Sequence, residues 1–457
     1  MSLQRRAFLQ GLLGTSVGAL SASAVRSYAQ TLPGSGPLPA PQHSGIDHIV
    51  VVTMENRSFD HLLGWLPNAN GQQSGLIYTD AAGAPHATYP LAPDYTGCGH
   101  PDPDHSYSGS RMAYDSGKMD GFLRAGQNDV YSIGYYTAAD IPFYAALGQT
   151  YTAYDNWYAA ILSATFPNRM FMWAAQTDRL DDSVGFSHLP TIFDRLSRAG
   201  VSHRYYFSNV PFVALWGLKY IFSTSLLGSF LSDAASGHLP AVSFVDPAFT
   251  VLDDGTGNDD HPHADIRNGD AFLSKVFHAV ASGPKWANTV LIINFDEWGG
   301  FFEHVAPPRV IAPANSIDTD LVNGAALLGF RVPTVIASPF TRGANQVDHA
   351  LYDHTAALKL VEWRWGLQPL TARDGSTAIG NPAMNFNFHS PDASLPALPQ
   401  TSTVFAAPCF EGGIFSPNTV TSAQAPRTGG FGALANSEAG QSFVRHPRFR
   451  GPVQVSR

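Results

Sequence analysis

Five short apolar runs set the frame for this chain: Ile46–Met54 (IDHIVVVTM), Val201–Phe207, Ala241–Val245, Thr289–Phe295 and Val332–Ser338. Their β-branched residues follow one another with little alternation, which marks strands buried on both faces. Helical patterns lie between and after them, at Leu189–Ala199, Asp265–Ser282 and Tyr352–Leu367. Strands alternating with helices predict an α/β fold with a largely parallel central sheet and helices on both faces. In open sheets of that kind ligands bind beyond the carboxyl ends of the strands. The residues that follow each run are therefore where chemistry is expected.

Composition narrows the class. Only 14% of the 457 residues are charged, whereas 29 Phe, 17 Tyr and 8 Trp supply ample material for a core and argue against disorder. The 42 Gly and 33 Pro predict long loops, concentrated over residues 67–135. Lys and Arg number 27 against 36 Asp and Glu, a net charge of −9. That is the wrong sign for a nucleic-acid binder and gives no electrostatic anchor on an anionic membrane.

Residues 1–29 are expected to be an export signal. Arg5-Arg6 precede a glycine-diluted apolar stretch, Ala7–Ala24, and Ser27-Tyr28-Ala29 forms a small-x-small cleavage site. The Arg-Arg pair points to the twin-arginine route and a periplasmic or secreted product. Removing residues 1–29 takes away Arg5, Arg6 and Arg26 and no acid, leaving 24 basic and 36 acidic groups, or −12. A Pro/Gly-rich linker is expected over 30–45, a catalytic domain over 46–380, and a loop-rich, loosely wrapped extension over 381–457. The two cysteines, Cys98 and Cys409, exclude a cysteine zinc site. A bridge between them would tie the C-terminal region back near residue 98, and the sequence leaves that pairing open.

Two strand ends carry acids. Glu55-Asn56 follow the first run, and Asp296-Glu297 follow the fourth. Carboxylates at the rim of an apolar sheet need a partner, because uncompensated buried charge is costly. Glu55, Asn56, Asp296 and Glu297 make a hard oxygen set suited to one divalent cation such as Ca²⁺, Mg²⁺ or Mn²⁺. The plainer alternatives are that Asn56 or Ser58 only caps a helix over 59–65, and that the acids pair with arginines. A third segment, Ser163–Arg169, precedes a helical run over Met170–Gln176 and places Thr165 at the helix entrance, near N–H groups able to receive a phosphate. Thr165 there is either a simple N-cap or a nucleophile, and as a nucleophile it needs a metal or a base to activate it.

Glu55–Gly64 (ENRSFDHLLG), Ala164–Arg169 (ATFPNR) and Asp296–Val305 (DEWGGFFEHV) together resemble the bacterial phosphoesterase family of secreted phospholipases C and acid phosphatases. Asp260-His261-Pro262, Asp265–Gly269 and Tyr352–Thr355 resemble further segments of that family, in order. The resemblance implies an alkaline-phosphatase-like α/β/α sandwich with long loop insertions and, typically, a single metal. It also implies Glu55, Asn56, Thr165, Asp296 and Glu297 as the metal site and Thr165 as nucleophile, through a phosphothreonine. Glu303 stands where an Asp is common, and the Asp296-Glu297 pair is closer to the phospholipase branch.

Proton transfer near neutral or acidic pH calls for histidine. The expected catalytic set is His105, His261, His304 and His354, with His61, His100, His263 and His349 as weaker candidates. Trp157, Tyr158, Trp298, Phe301 and Phe302 read either as core packing or as an aromatic wall for a choline headgroup. The leading expectation is an exported, metal-dependent, phospholipase C-like phosphoesterase acting on phosphate esters, phospholipid included. The alternatives are an acid phosphatase acting on small monoesters and a non-catalytic surface-binding protein on the same fold.

Overall fold

The structure, a computed structural model, describes residues 38–250, 257–406, 409 and 430–449. The expected export signal and the linker up to residue 37 lie outside them. Eight strands form the central sheet: β1 (His48–Met54), β2 (Thr152–Tyr154), β3 (His203–Phe207), β4 (Thr224–Leu226), β5 (Val242–Val245), β6 (Thr289–Phe295), β7 (Thr334–Ala337) and β8 (Val347–Asp348), in the order β8-β2-β7-β6-β1-β5-β3-β4. Every pairing is parallel except those of β7 with β6 and β2. All five expected strands are present and the sheet is largely parallel, but the run at Val332–Ser338 enters it in the reverse direction. The three short strands β2, β4 and β8 were not expected. They are two or three residues long and too brief for a pattern to show.

The helices used below are α1 (Phe59–Leu63), α2 (Pro142–Thr150), α3 (Thr165–Ala174), α4 (Ile192–Arg198), α5 (Leu227–Ser236), α6 (Ile266–Ala281), α7 (Thr355–Trp365), α8 (Gly430–Asn436) and α9 (Glu438–Val444). Neighbouring residues of a strand point to opposite faces, and β3 shows what covers each. Tyr205 meets Trp173 of α3 at 5.2 Å, while Tyr206 meets Phe230 of α5 at 5.2 Å. Helices thus cover both faces of an α/β/α sandwich. Asp265 caps α6 by accepting from the Arg267 N–H at 3.0 Å. Thr191 and Asp194 form a capping box that starts α4 after Pro190. The expected helix over Tyr352–Leu367 begins three residues later, because Tyr352-Asp353 pair with Trp157-Tyr158 and Tyr352 stacks on Trp157 at 5.3 Å.

The loop region over 67–135 carries a small ribbon (Ile77–Thr79 with Pro85–Ala87) and a helix (Tyr107–Tyr114), and shares an apolar cluster with Trp298, Phe302 and Phe330. Trp157, Tyr158, Trp298, Phe301 and Phe302 are all buried, so they pack the core. Cys98 and Cys409 are joined in a disulfide with their Cα atoms 5.2 Å apart. Beyond it, α8 and α9 are packed rather than loosely wrapped, because Phe431, Leu434 and Phe443 are buried. Among the described residues no helix is long and apolar enough to cross a membrane.

Candidate active site

Parallel register brings the acids together. Met54 of β1 lies opposite Phe295 of β6, and Val52 lies opposite Val245 of β5. Glu55, Asp296 and Asp246 therefore leave three adjacent strands at one edge, and all three are buried. Arg169 of α3 reaches into this edge and satisfies them together. Its Nε donates to Glu55 Oε1 at 2.9 Å and to Asp296 Oδ2 at 3.0 Å, its Nη1 to Asp246 Oδ1 at 3.0 Å, and its Nη2 to Glu55 Oε1 at 2.5 Å.

Asn56 turns the chain at the end of β1 with φ of 56°, a left-handed conformation that asparagine tolerates better than most residues. That turn aims its backbone N–H at Asp296 Oδ1, 3.1 Å away. Gly299 passes so close behind that a Cβ there would stand 2.0 Å from the Asn56 carbonyl oxygen. The Asn56 side-chain oxygen accepts from the Thr165 hydroxyl at 3.3 Å, and its Nδ2 lies 3.4 Å from His105 Nε2. Thr165 is the first residue of α3; the cap position belongs to Ala164, which makes no side-chain cap. Its hydroxyl is thus free of capping and faces the acids. The neighbouring Phe166 N–H is held by Asp182 Oδ1 at 2.8 Å, which occupies one of the N–H groups expected to receive a phosphate. Ser58 precedes α1 but makes no cap either, since its hydroxyl donates to the Phe302 carbonyl at 2.6 Å.

Charge at this edge is out of balance. Glu55, Asp246, Asp296 and Glu297 face one guanidinium and the His105 imidazole, whose Nε2 is 3.8 Å from Glu297 Oε1. Burial, followed by the Asp296 charge, pushes Glu55 well above the usual carboxylate range. Burial does the same to Glu297. Burial disfavours charge on His105, yet Glu297, Asp102 and Asp182 together hold its pKa up to about 10. Glu297 Oε1 is buried without a hydrogen-bond partner. An unpartnered carboxylate oxygen of Glu297 beside the oxygens of Glu55, Asn56, Thr165 and Asp296 is a hard donor set of the kind a divalent cation suits.

Among the described residues the acids and imidazole whose ligand atoms all lie within 4.8 Å of one another are Asp60, Glu303 and His304, whereas Glu55, Asp296 and Glu297 are not gathered that tightly. There Arg331 Nη2 lies 2.6 Å from Glu303 and 3.2 Å from Asp60, so each acid group is already served by a guanidinium, Arg331 here and Arg169 at the sheet edge.

The expected histidines divide. His105 and His261 line a narrow cleft together with Glu55, Asp102, Thr165 and Asp182. Their rings are 6.0 Å apart, and His261 Nε2 is 3.8 Å from Asp102. His354 lies behind the acids, with Nε2 2.5 Å from the Asp296 carbonyl oxygen, and burial pushes its pKa down to about 4. His304 is outside the cleft, with Nδ1 2.5 Å from Asp60. His61 bonds the Gly134 carbonyl and Arg57, His100 and His349 bond Asp129 and Asp155, and His263 lies 3.1 Å from the His100 carbonyl. Asp246, Arg169 and Asp182 carry no role in the sequence expectations. Asp246 ends its strand just as Glu55 and Asp296 end theirs, and the same rule would have found it.

The acid-rimmed sheet edge thus gathers a hydroxyl and two imidazoles in one cleft. The chain belongs to the phosphoesterase family, whose profile matches residues 46–368, and it is a hydrolase acting on phosphoric ester bonds. It is 31% identical over 374 residues to non-specific phospholipase C6 of Arabidopsis thaliana, covering 73% of this chain and 71% of that one. It is 30% identical over 482 residues to phospholipase C A of Mycobacterium tuberculosis, covering 88% and 90%. Among solved structures, a protein in the alkaline phosphatase superfamily from Vibrio parahaemolyticus aligns with a TM-score of 0.36 at 11% identity, covering 78% of this chain and 76% of that one.

Proposed function

We propose that this chain is an exported, metal-dependent, phospholipase C-like phosphoesterase that works through a phosphothreonine. The observation that carries the reading is the Thr165 hydroxyl, uncommitted to capping and bonded to Asn56 Oδ1 at the rim of the buried acids. Thr165 Oγ gives its proton to a cleft imidazole and bonds to phosphorus as the ester P–O bond breaks, and that imidazole passes the proton to the departing alcohol. His105 and His261 are the imidazoles lining the cleft for this relay, and in the second half-reaction they take a proton from the attacking water and return it to the leaving Thr165 Oγ. That water breaks the phosphothreonine, releasing the phosphoryl product and restoring the hydroxyl. A cation bound by Glu55, Asn56, Thr165, Asp296 and Glu297 would supply Lewis-acid polarisation of the phosphoryl group and lower the Thr165 pKa. Arg169 holds Glu55 and Asp296 in place, and His354 braces the Asp296 backbone.

The test is a panel of nitrophenyl phosphate, nitrophenylphosphorylcholine and phosphatidylcholine vesicles, with wild type and Thr165→Ala. Vesicle cleavage that Thr165→Ala loses by 10³-fold or more, in a folded protein, is the expected result. Hydrolysis of the monoester alone would assign a phosphatase instead. Silence of metal-replete wild type on all three would favour the binding role, and full activity of Thr165→Ala would overturn the nucleophile.

A further inference from the structure

The last described helices reach the cleft. Gly430 and Phe431, the first residues of α8, line it beside Thr165 and the carboxylates, although they lie 62 and 63 residues past the segment that matches the family. The Phe431 ring stacks on Phe249 with centroids 3.5 Å apart and planes at 10°, and it meets Phe166, the neighbour of Thr165, edge-on at 5.4 Å. The guanidinium of Arg169 lies 4.9 Å from the Phe249 ring and 5.1 Å from the Phe431 ring. Gly430 fits so closely that a Cβ there would stand 2.7 Å from Asp182 Cβ and 2.8 Å from Phe166. Phe431 is only 5% exposed. It is therefore fixed in place by contacts on three sides.

We propose that Phe431, backed by Phe249, is a specificity-determining wall of the cleft: it limits the size of the organic group that an ester can carry beside phosphorus. The polar face of the cleft, with Glu55, Thr165, His105 and His261, handles the phosphoryl group, and the stacked rings are its apolar counterpart. A filled apolar wall discriminates by fit, and one methylene more or less in such a pocket shifts selectivity by about 10- to 200-fold. The inference rests on the reading of the cleft as a phosphoester site. It adds that the C-terminal segment, not the matched domain alone, sets which ester enters.

The experiment measures kcat and KM on nitrophenyl phosphate and on nitrophenyl phosphodiesters bearing methyl, butyl or phenyl groups, so that the leaving group stays constant. Phe431→Ala is expected to move the preference for phenyl over methyl upward by about tenfold, chiefly through KM, and Phe431→Trp to move it the other way. Glu438→Gln, at an exposed position on α9, is expected to leave every ratio unchanged. Where Phe431→Ala does not fold, Phe431→Leu and Phe431→Trp carry the comparison. Ratios that stay the same in all variants of an active enzyme would overturn the wall. So would a uniform fall in kcat across all substituents, since Phe431 would then act through Arg169. Wild type inactive on every ester would instead remove the phosphoester reading itself.

Discussion

Arg169 sits where three buried carboxylates converge, and among the described residues its guanidinium pairs with all of them. Removing one member of a buried ion cluster leaves the others uncompensated, at about 3–5 kcal/mol. Arg169→Met is expected to cost that much in urea unfolding. Saturating divalent cation should recover part of it, because a ligand bound only by the folded state stabilises it. Loss of stability below 1 kcal/mol would show that the acids are already neutralised by other means. The metal reading makes its own prediction: exhaustive chelation should abolish turnover and lower the melting temperature, and Mg²⁺, Mn²⁺ or Ca²⁺ should restore both. An unchanged melting temperature after chelation confirmed by elemental analysis would count against the site. Much of this constellation was legible, since Glu55, Asn56, Asp296 and Glu297 stand at the ends of unmistakable strands. Arg169 was not. A lone arginine in a helical run carries no sign of which strand ends it will meet.

Between elements, a single carboxylate joins two helices. Asp270 in the middle of α6 accepts from the Phe143 and Tyr144 N–H groups at 3.2 and 2.8 Å, at the start of α2. Burial outweighs those bonds and pushes its pKa up to about 6. A carboxyl whose folded pKa exceeds its unfolded value of about 3.9 penalises folding once it ionises. Its cost is absent below about pH 4, grows between 4 and 6 and is constant above. Asp270→Asn is therefore expected to gain relative to wild type by about 3 kcal/mol between pH 3.5 and 7, read by urea unfolding at each pH. A constant difference across that range would contradict it. The Cys98–Cys409 bridge is the other tie between distant elements, and Cys409→Ser is expected to cost about 2–4 kcal/mol. Melting temperatures with and without reductant check this, since reductant should lower that of wild type only. Elements with a clear period were legible: α6 falls within a residue of its expected ends, and β6 matches its run. The reversed direction of β7 was not, because strand residues encode burial and say nothing of polarity along the sheet.

For the molecule as a whole, the alternation of apolar runs and helical patterns was enough to foresee a largely parallel sheet with helices on both faces. The contribution of the C-terminal helices was hidden, because Pro, Ser and Gly dominate that region and the few aromatics that bury, Phe431 and Phe443, are spread thinly. Sheet order carries one more consequence. β1 is the earliest strand in the chain, yet its two neighbours are β5 and β6, formed roughly 190 and 240 residues later. As the polypeptide emerges from the ribosome, this apolar strand must wait, unpaired, until about residue 245 has been made, and it lacks its second neighbour until about residue 295. Such a delay slows folding and leaves a sticky strand available to chaperones or to aggregation. Nascent chains halted before β6 should therefore bind a hydrophobic-strand chaperone that chains halted after it release.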